Sequence, residues 1–125
     1  MKRTAKTILS ALDCERASLS LLCTDDPVIH DLNRRWLGHD RPTDVISWAA
    51  DDTGPRGFLG DIAISIDTAA RQAAELGHPL DDELARLLIH GILHLLGHAH
   101  VHGGAKARAM RQEEERLFKL VSAAK

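Results

Sequence analysis

The stretch DDELARLLIHGILHLLG, residues 81–97, predicts a long apolar helix at the centre of the fold. Acidic residues at 81–83 open the stretch, and negative charge favours the N-terminus of a helix. Gly97 closes it, because glycine readily adopts the left-handed conformation in which many helices end. We therefore interpret the rest of the chain as the sheet and the helices that pack with this central helix.

Alternating or apolar segments at residues 17–23, 44–49 and 58–66 predict three strands. Further helices are predicted for residues 3–12, from the Asp25-Asp26-Pro27 start to Gly38, for residues 68–76 with Asp67 as the cap, and for residues 105–121. The order α-β-α-β-β-α-α-α predicts an α+β fold, a small mixed sheet with helices packed on it. The length of 125 residues predicts one domain, spanning 1–125.

The composition limits the class of protein. Aromatic residues make up 3% of the chain, so a core built from its 44% hydrophobic residues must be aliphatic. The formal net charge of −2 provides no overall basic field, so any nucleic-acid binding requires a local patch. No signal-peptide core and no apolar run of ~20 residues is present, which predicts a cytoplasmic protein without membrane contact. Cys14 and Cys23 lack metal or redox spacing, and we expect both to be buried.

Histidines recur in and just beyond the central helix, at positions 90, 94, 98 and 100. Four residues turn a helix by ~400° and advance it by ~6 Å, so His90 and His94 project from one face. After the reversal at Gly97, His100 can return as a third ligand, although His98 could take that place. Three imidazoles leave one position of a tetrahedral metal ion open for water, which is typical of catalytic sites.

A structural role for these imidazoles is the alternative. Buried imidazoles need hydrogen-bond partners, which the apolar neighbours do not offer, whereas one metal ion satisfies several together. Zinc peptidases share the spacing, but they need a glutamate where this chain has Gly91. The pattern thus argues against a peptidase, and Gly91 either leaves room for a bulky substrate or permits close packing.

Three ordered motifs make the chain similar to a known family. They are HGILHLLGHAH at 90–100, the segment from Leu32-Asn33 through Trp36 to DRPTDVISW at 40–48, and LGDIAIS at 59–65. On these residues the sequence resembles the bacterial YbeY proteins, metal-dependent endoribonucleases of ribosomal RNA maturation. The resemblance implies one zinc ion on His90, His94 and His100, with an open position for water.

The resemblance also implies a function: a single-strand-specific endoribonuclease in rRNA maturation, acting at the 3′ end of 16S rRNA and in ribosome quality control. The implied partners are single-stranded ribosomal RNA and the small ribosomal subunit, and neither DNA nor a membrane is expected. One alternative is a non-catalytic, metal-containing factor for ribosome assembly or RNA binding. Another is a metal-dependent hydrolase with a different substrate.

The sequence departs from the family pattern in three places. Leu37 occupies the position of a functional arginine, so RNA binding or rate is expected to differ. Ala99 replaces the aspartate before the third histidine, which predicts weaker metal binding. The family's strand before the first helix has no room here, so we expect one strand fewer.

Other polar residues are candidates for RNA contacts or for proton transfer. Arg34, Arg35 and Arg41 lie close in sequence to Trp36 and are candidate phosphate contacts, with ordinary surface charge as the alternative. Asp44 and Asp61 are candidates for direct chemistry, but Asp44 could instead cap its strand and Asp61 could face solvent. The sequence assigns no catalytic base.

Overall fold

The computed structural model describes residues 1–51, 57–97 and 104–124, which form an α+β fold as predicted. Their elements are α1 (Lys2–Ala11), β1 (Ser18–Thr24), α2 (Asp26–Leu32) with a following π-helical turn (Asn33–Leu37), β2 (Val45–Ala49), β3 (Phe58–Ser65), α3 (Ile66–Leu76), α4 (Leu80–Leu95) and α5 (Gly104–Ala123). The predicted order of helices and strands is confirmed. The helix predicted to run to Gly38 is wrong in its second half, where a π-helical turn replaces the α-helix.

The described strands form a mixed sheet in the order β1-β3-β2. β3 lies at its centre, parallel to β1 and antiparallel to β2. A central strand is covered on both faces, which accounts for the buried run from Ile62 to Ser65. The two faces carry different helices. Ile62 and Ile64 belong to the core cluster around α4, whereas Ala63 packs with Ile29 of α2 on the opposite face.

The predicted central helix is confirmed. Its side chains are buried along most of α4, and several are at most 1% exposed: Leu88, Ile89, Ile92 and Leu93. Ile8 of α1 and Leu117 of α5 belong to the same cluster, so α4 lies between the sheet and these two helices. This burial on several sides holds the histidine-bearing turns of α4 in a fixed place.

Gly91 marks the point where α4 lies closest to β3. A Cβ atom added at Gly91 would lie 3.1 Å from both Cδ1 and Cγ2 of Ile62, which is itself 1% exposed. Even a single added Cβ atom would require the Ile62 side chain to shift by a few tenths of an ångström. Of the two sequence interpretations, the close-packing role is therefore the one that the structure supports directly.

The N-terminal ends of α2 and α3 lie side by side, because these helices follow the parallel strands β1 and β3. The Asp26 carboxylate accepts hydrogen bonds from Ser65 Oγ (2.5 Å), Thr68 Oγ1 (2.7 Å) and Arg71 Nη2 (2.8 Å). The predicted cap of α3 by Asp67 is wrong. Ser65 caps α3 by accepting from the Thr68 amide, and Asp67 instead accepts from the Asp26 amide across the two helices.

This network makes stability depend on pH. Hydrogen bonds from Ser65 and Thr68, followed by Arg71, lower the pKa of Asp26 to about 2. Because the folded-state pKa lies below the unfolded value of ~3.9, the stabilisation is complete above about pH 5 and is lost as pH falls from about 4 to about 2. We expect Asp26→Asn to lower the free energy of unfolding by on the order of 1–2 kcal/mol at pH 7, and by much less at pH 2.5.

Urea denaturation at the two pH values measures this difference. Glu75→Gln is the matched control, since Glu75 is an exposed carboxylate on α3. A loss of stability for Asp26→Asn that is equal at both pH values would contradict the assigned role.

Two further predictions concern the cysteines and the membrane. The predicted burial of both cysteines is wrong, because Cys23 is exposed on the edge strand β1 and Cys14 is only partly buried. Across the described ranges, no helix combines the length and apolar character that a membrane crossing requires.

Candidate metal and RNA site

His90 and His94 lie on one face of α4, in its last two turns. The centroids of their imidazole rings are 4.4 Å apart, and the ring planes are inclined by 51°. Both side chains are half-buried, at the border between the core and the surface. The spacing of four residues therefore brings together the two rings that the sequence pairs.

The chain reverses directly after these rings. α4 ends at Leu95, and Gly97, with φ of +93°, donates its amide to the His94 carbonyl at 3.0 Å. His98 and His100 lie outside the described residues, so the third ligand stays a prediction. Within the described part of the chain, no three histidine, cysteine or acidic side chains come together as a metal site.

The two described imidazoles fit zinc as part of a ligand set. Imidazole nitrogen is a common zinc donor and binds at ~2.0–2.1 Å, which two neighbouring rings on successive helical turns can reach around one ion. Gly91 lies between them in sequence but on the side of α4 that faces Ile62, so it does not belong to the histidine face. His90 and His94 would thus supply two of the four positions of a tetrahedral site.

A cavity of about 320 Å³ adjoins His90. Its polar lining comes from the residue before β2, from α4 and from α5, and consists of Asp44, Glu83, Arg86, His90 and Glu114. Glu83 is buried and its carboxylate lies 3.0 Å from Nε2 of His78. The candidate metal ligand His90 therefore forms one wall of a space that is lined with charged groups.

The two candidate aspartates lie in different places. Asp44 lines the His90 cavity, but its carboxylate accepts from the Val45 amide (2.7 Å) and from Gln72 Nε2 (3.3 Å), so it also caps its own strand. Asp61 is exposed on the opposite face of the sheet, in a groove of about 550 Å³ that includes Trp36 and Trp48. Asp61 therefore lies on the other face of the sheet from α4, whereas Asp44 shares a cavity with His90.

The family model described as "Endoribonuclease YbeY" matches residues 1–122. The chain belongs to the YbeY family of endoribonucleases. The "Endoribonuclease YbeY" of Aquifex aeolicus is 42% identical over 125 residues, covering 99% of this chain and 83% of that protein. The protein of the same name from Syntrophotalea carbinolica is 46% identical over 123 residues, covering 94% and 82%. The family prediction made from the three motifs is thereby confirmed.

The fold is also found in a solved structure. The solution structure of a Thermotoga maritima protein superimposes with a TM-score of 0.73 at 24% identity, covering 98% of this chain and 79% of that one. At this identity the likeness supports the fold alone. The α+β arrangement seen here is therefore shared beyond the YbeY relatives that are close in sequence.

The arginines predicted to contact RNA follow α2. Arg34 and Arg35 both form ion pairs with Asp31, at 2.8 and 3.0 Å, and both are more than half exposed. Arg41 is exposed in the next loop, where its carbonyl accepts from Nδ2 of the buried Asn33 at 2.9 Å. These arginines are not among the side chains that line the His90 cavity, so their role in RNA binding stays a prediction.

Leu37, at the position of the YbeY arginine, ends the π-helical turn and is 47% exposed. An exposed leucine beside the 68% exposed Trp36 gives this part of the surface an apolar character. The departure from the family pattern that the sequence predicts at Leu37 therefore lies on the surface and not in the core.

Three charged groups of the cavity were missed from the sequence: Glu83, Arg86 and Glu114. Arg86 precedes His90 by one helical turn, so the helix period could have found it. Glu114 belongs to α5, and no local pattern relates it to His90.

Proposed function

We propose that this chain is a zinc-dependent endoribonuclease that cleaves single-stranded RNA in the maturation of 16S rRNA at its 3′ end. One observation carries the proposal: in a chain of the YbeY family, the His90 and His94 rings lie 4.4 Å apart beside a cavity. His100 is the proposed third ligand. The fourth position of the ion remains open for water, as catalytic zinc sites require.

The site suits cleavage of a phosphodiester. A zinc ion bound there supplies a Lewis acid for a phosphoryl oxygen. The chain's part is to fix the ligands, which it does by anchoring α4 in the core through Leu88, Ile92 and Leu93. The adjacent cavity offers space for part of a nucleotide, and Asp44 holds a carboxylate at its border.

The proposed partners are ribosomal RNA and the small ribosomal subunit, and the proposed compartment is the cytoplasm. The support is the family resemblance in the motifs at 32–48, 59–65 and 90–100. A formal net charge of −2 also means that RNA binding must come from local cations and from the metal rather than from an overall basic field.

A cleavage assay on defined RNA tests the proposal. Protein with measured zinc content is incubated with a single-stranded RNA that carries the 3′ end of precursor 16S rRNA, and with the same RNA annealed to its complement. We expect about one zinc ion per chain, cleavage of the single strand only, loss of cleavage with a chelator and recovery with added zinc.

Two other results of this assay would each support one of the alternative functions. Zinc and RNA binding without cleavage would assign the chain to the non-catalytic ribosome-assembly factors. Hydrolysis of another ester without cleavage of RNA would identify a hydrolase with a different substrate.

A further inference from the structure

Arg86 lies on α4 four residues before His90, and the two side chains line the same cavity. Four residues advance a helix by ~6 Å and turn it by ~400°, so Arg86, His90 and His94 form a row on one face. Arg86 is exposed, whereas the neighbouring residues Ala85 and Leu87 are buried. The row is thus the accessible side of an otherwise buried helix.

The ring of Phe118 holds the Arg86 guanidinium in place. The Cζ atom of Arg86 lies 4.1 Å from the centroid of that ring, well within the range of a cation–π contact. The guanidinium carries five N–H donors, so contact with one ring leaves donors that can bind an acceptor. Throughout the described ranges, no carboxylate lies within ion-pair distance of Arg86.

Among the described residues that line the cavity, two of the three carboxylates already have hydrogen-bond partners. Glu83 interacts with His78, and Asp44 accepts hydrogen bonds from the Val45 amide and from Gln72. Glu114 is half-buried on α5. An anion that enters the cavity is repelled by these carboxylates and attracted by Arg86. Of the described side chains around the cavity, Arg86 carries the permanent positive charge, so its guanidinium is where such an anion is attracted.

We propose that Arg86 binds a phosphate group of single-stranded RNA, one helical turn from the His90–His94 pair. The proposal rests on RNA being the substrate, as argued above. An arginine fork matches two phosphate oxygens, and a guanidinium that is already stacked loses little conformational freedom on binding. A second phosphate of the same strand would then lie at the histidines, so Arg86 would set the direction of the strand across α4. It would also supply an RNA-binding cation in a chain that has Leu37 in place of the family's arginine.

Binding of an RNA that stays intact, as a gel checks after each titration, tests the proposal separately from catalysis. The probe is a fluorescein-labelled single-stranded RNA with 2′-O-methyl sugars, titrated with zinc-loaded protein at several salt concentrations. We expect Arg86→Gln to weaken binding by about 10-fold and to lower the slope of log K against log salt by about 0.7, as loss of one phosphate contact predicts. Arg86→Met, which keeps an apolar stem for Phe118, is expected to weaken binding and to lower the salt slope to the same extent.

Arg3→Gln is the matched control, because Arg3 is an exposed arginine on α1 and does not line the His90 cavity. Wild-type affinity and salt slope in a folded Arg86→Gln or Arg86→Met variant would overturn the proposal. It would also be overturned if the variants lost binding to an acidic peptide of matched charge but kept binding to RNA, since Arg86 would then serve a protein partner. RNA binding that depends on Arg86 without any cleavage by the wild type would instead contradict the proposed endoribonuclease.

Discussion

Replacing His94 with alanine is expected to lower zinc affinity by at least about 100-fold and to abolish cleavage of single-stranded RNA. Changing a residue that only hydrogen-bonds to a metal ligand typically lowers metal affinity or activity by ~10–100-fold. Loss of a ligand itself is expected to lower the affinity further. The fold is expected to persist, because His94 is half-buried and alanine is a good helix former. The zinc content, the zinc dissociation constant and the cleavage rate are the quantities to measure.

His39→Ala is the matched control, since His39 is an exposed loop histidine. It is expected to keep wild-type zinc content and activity, and both variants should keep the wild-type thermal transition. A His94→Ala protein that binds zinc as tightly as the wild type would remove His94 from the ligand set. A variant that loses zinc but still cleaves RNA at the wild-type rate would show that the metal has no part in the reaction.

Replacing Gly60 with alanine is expected to lower the free energy of unfolding by more than about 3 kcal/mol, because strain and overpacking add at this position. A Cβ atom at Gly60 would lie 2.1 Å from the Trp48 carbonyl oxygen and 2.9 Å from the Ala50 amide nitrogen. Both are backbone atoms, one in the neighbouring strand β2 and one in the residue directly after it, and Ala49 of β2 pairs with Gly60. The backbone φ of +140° at Gly60 adds strain for any residue with a side chain.

Gly77→Ala separates these two costs. Gly77 has a φ of +71°, and a Cβ atom there would meet no described atom within 4 Å. Gly77→Ala should lower the free energy of unfolding only by the ~1–2 kcal/mol that the left-handed conformation costs a residue with a side chain. Urea denaturation of both variants gives the comparison. An equal loss of stability in the two would mean that contact with β2 has no part in the Gly60 effect.

Signals that lie within a few residues were predictable from the sequence. Asp25 caps α2 by accepting from the Val28 amide at 3.1 Å, as the Asp-Asp-Pro start predicts. The cap of α3 was mispredicted because Ser65 and Asp67 are both good capping residues. The choice between them depended on α2, because the amide of its first residue, Asp26, donates a hydrogen bond to the Asp67 carboxylate.

The endoribonuclease family was likewise predictable, because its motifs are continuous in the chain. The matched model over residues 1–122 confirms it. The metal ligands are a different case. His90 and His94 are placed together by the helix, but the predicted convergence with His100 depends on residues outside those described.

The sequence by itself determined the order of helices and strands, the shared face of His90 and His94, and the family, because helix period, strand alternation and motif order are local properties of a chain. Only the tertiary structure decided that Asp44 shares a cavity with His90 while Asp61 lies across the sheet. It also decided that Gly91 packs on Ile62 and that Phe118 holds Arg86. Those contacts join distant segments, and their geometry follows from the packing of whole elements, in which many weak contacts act together.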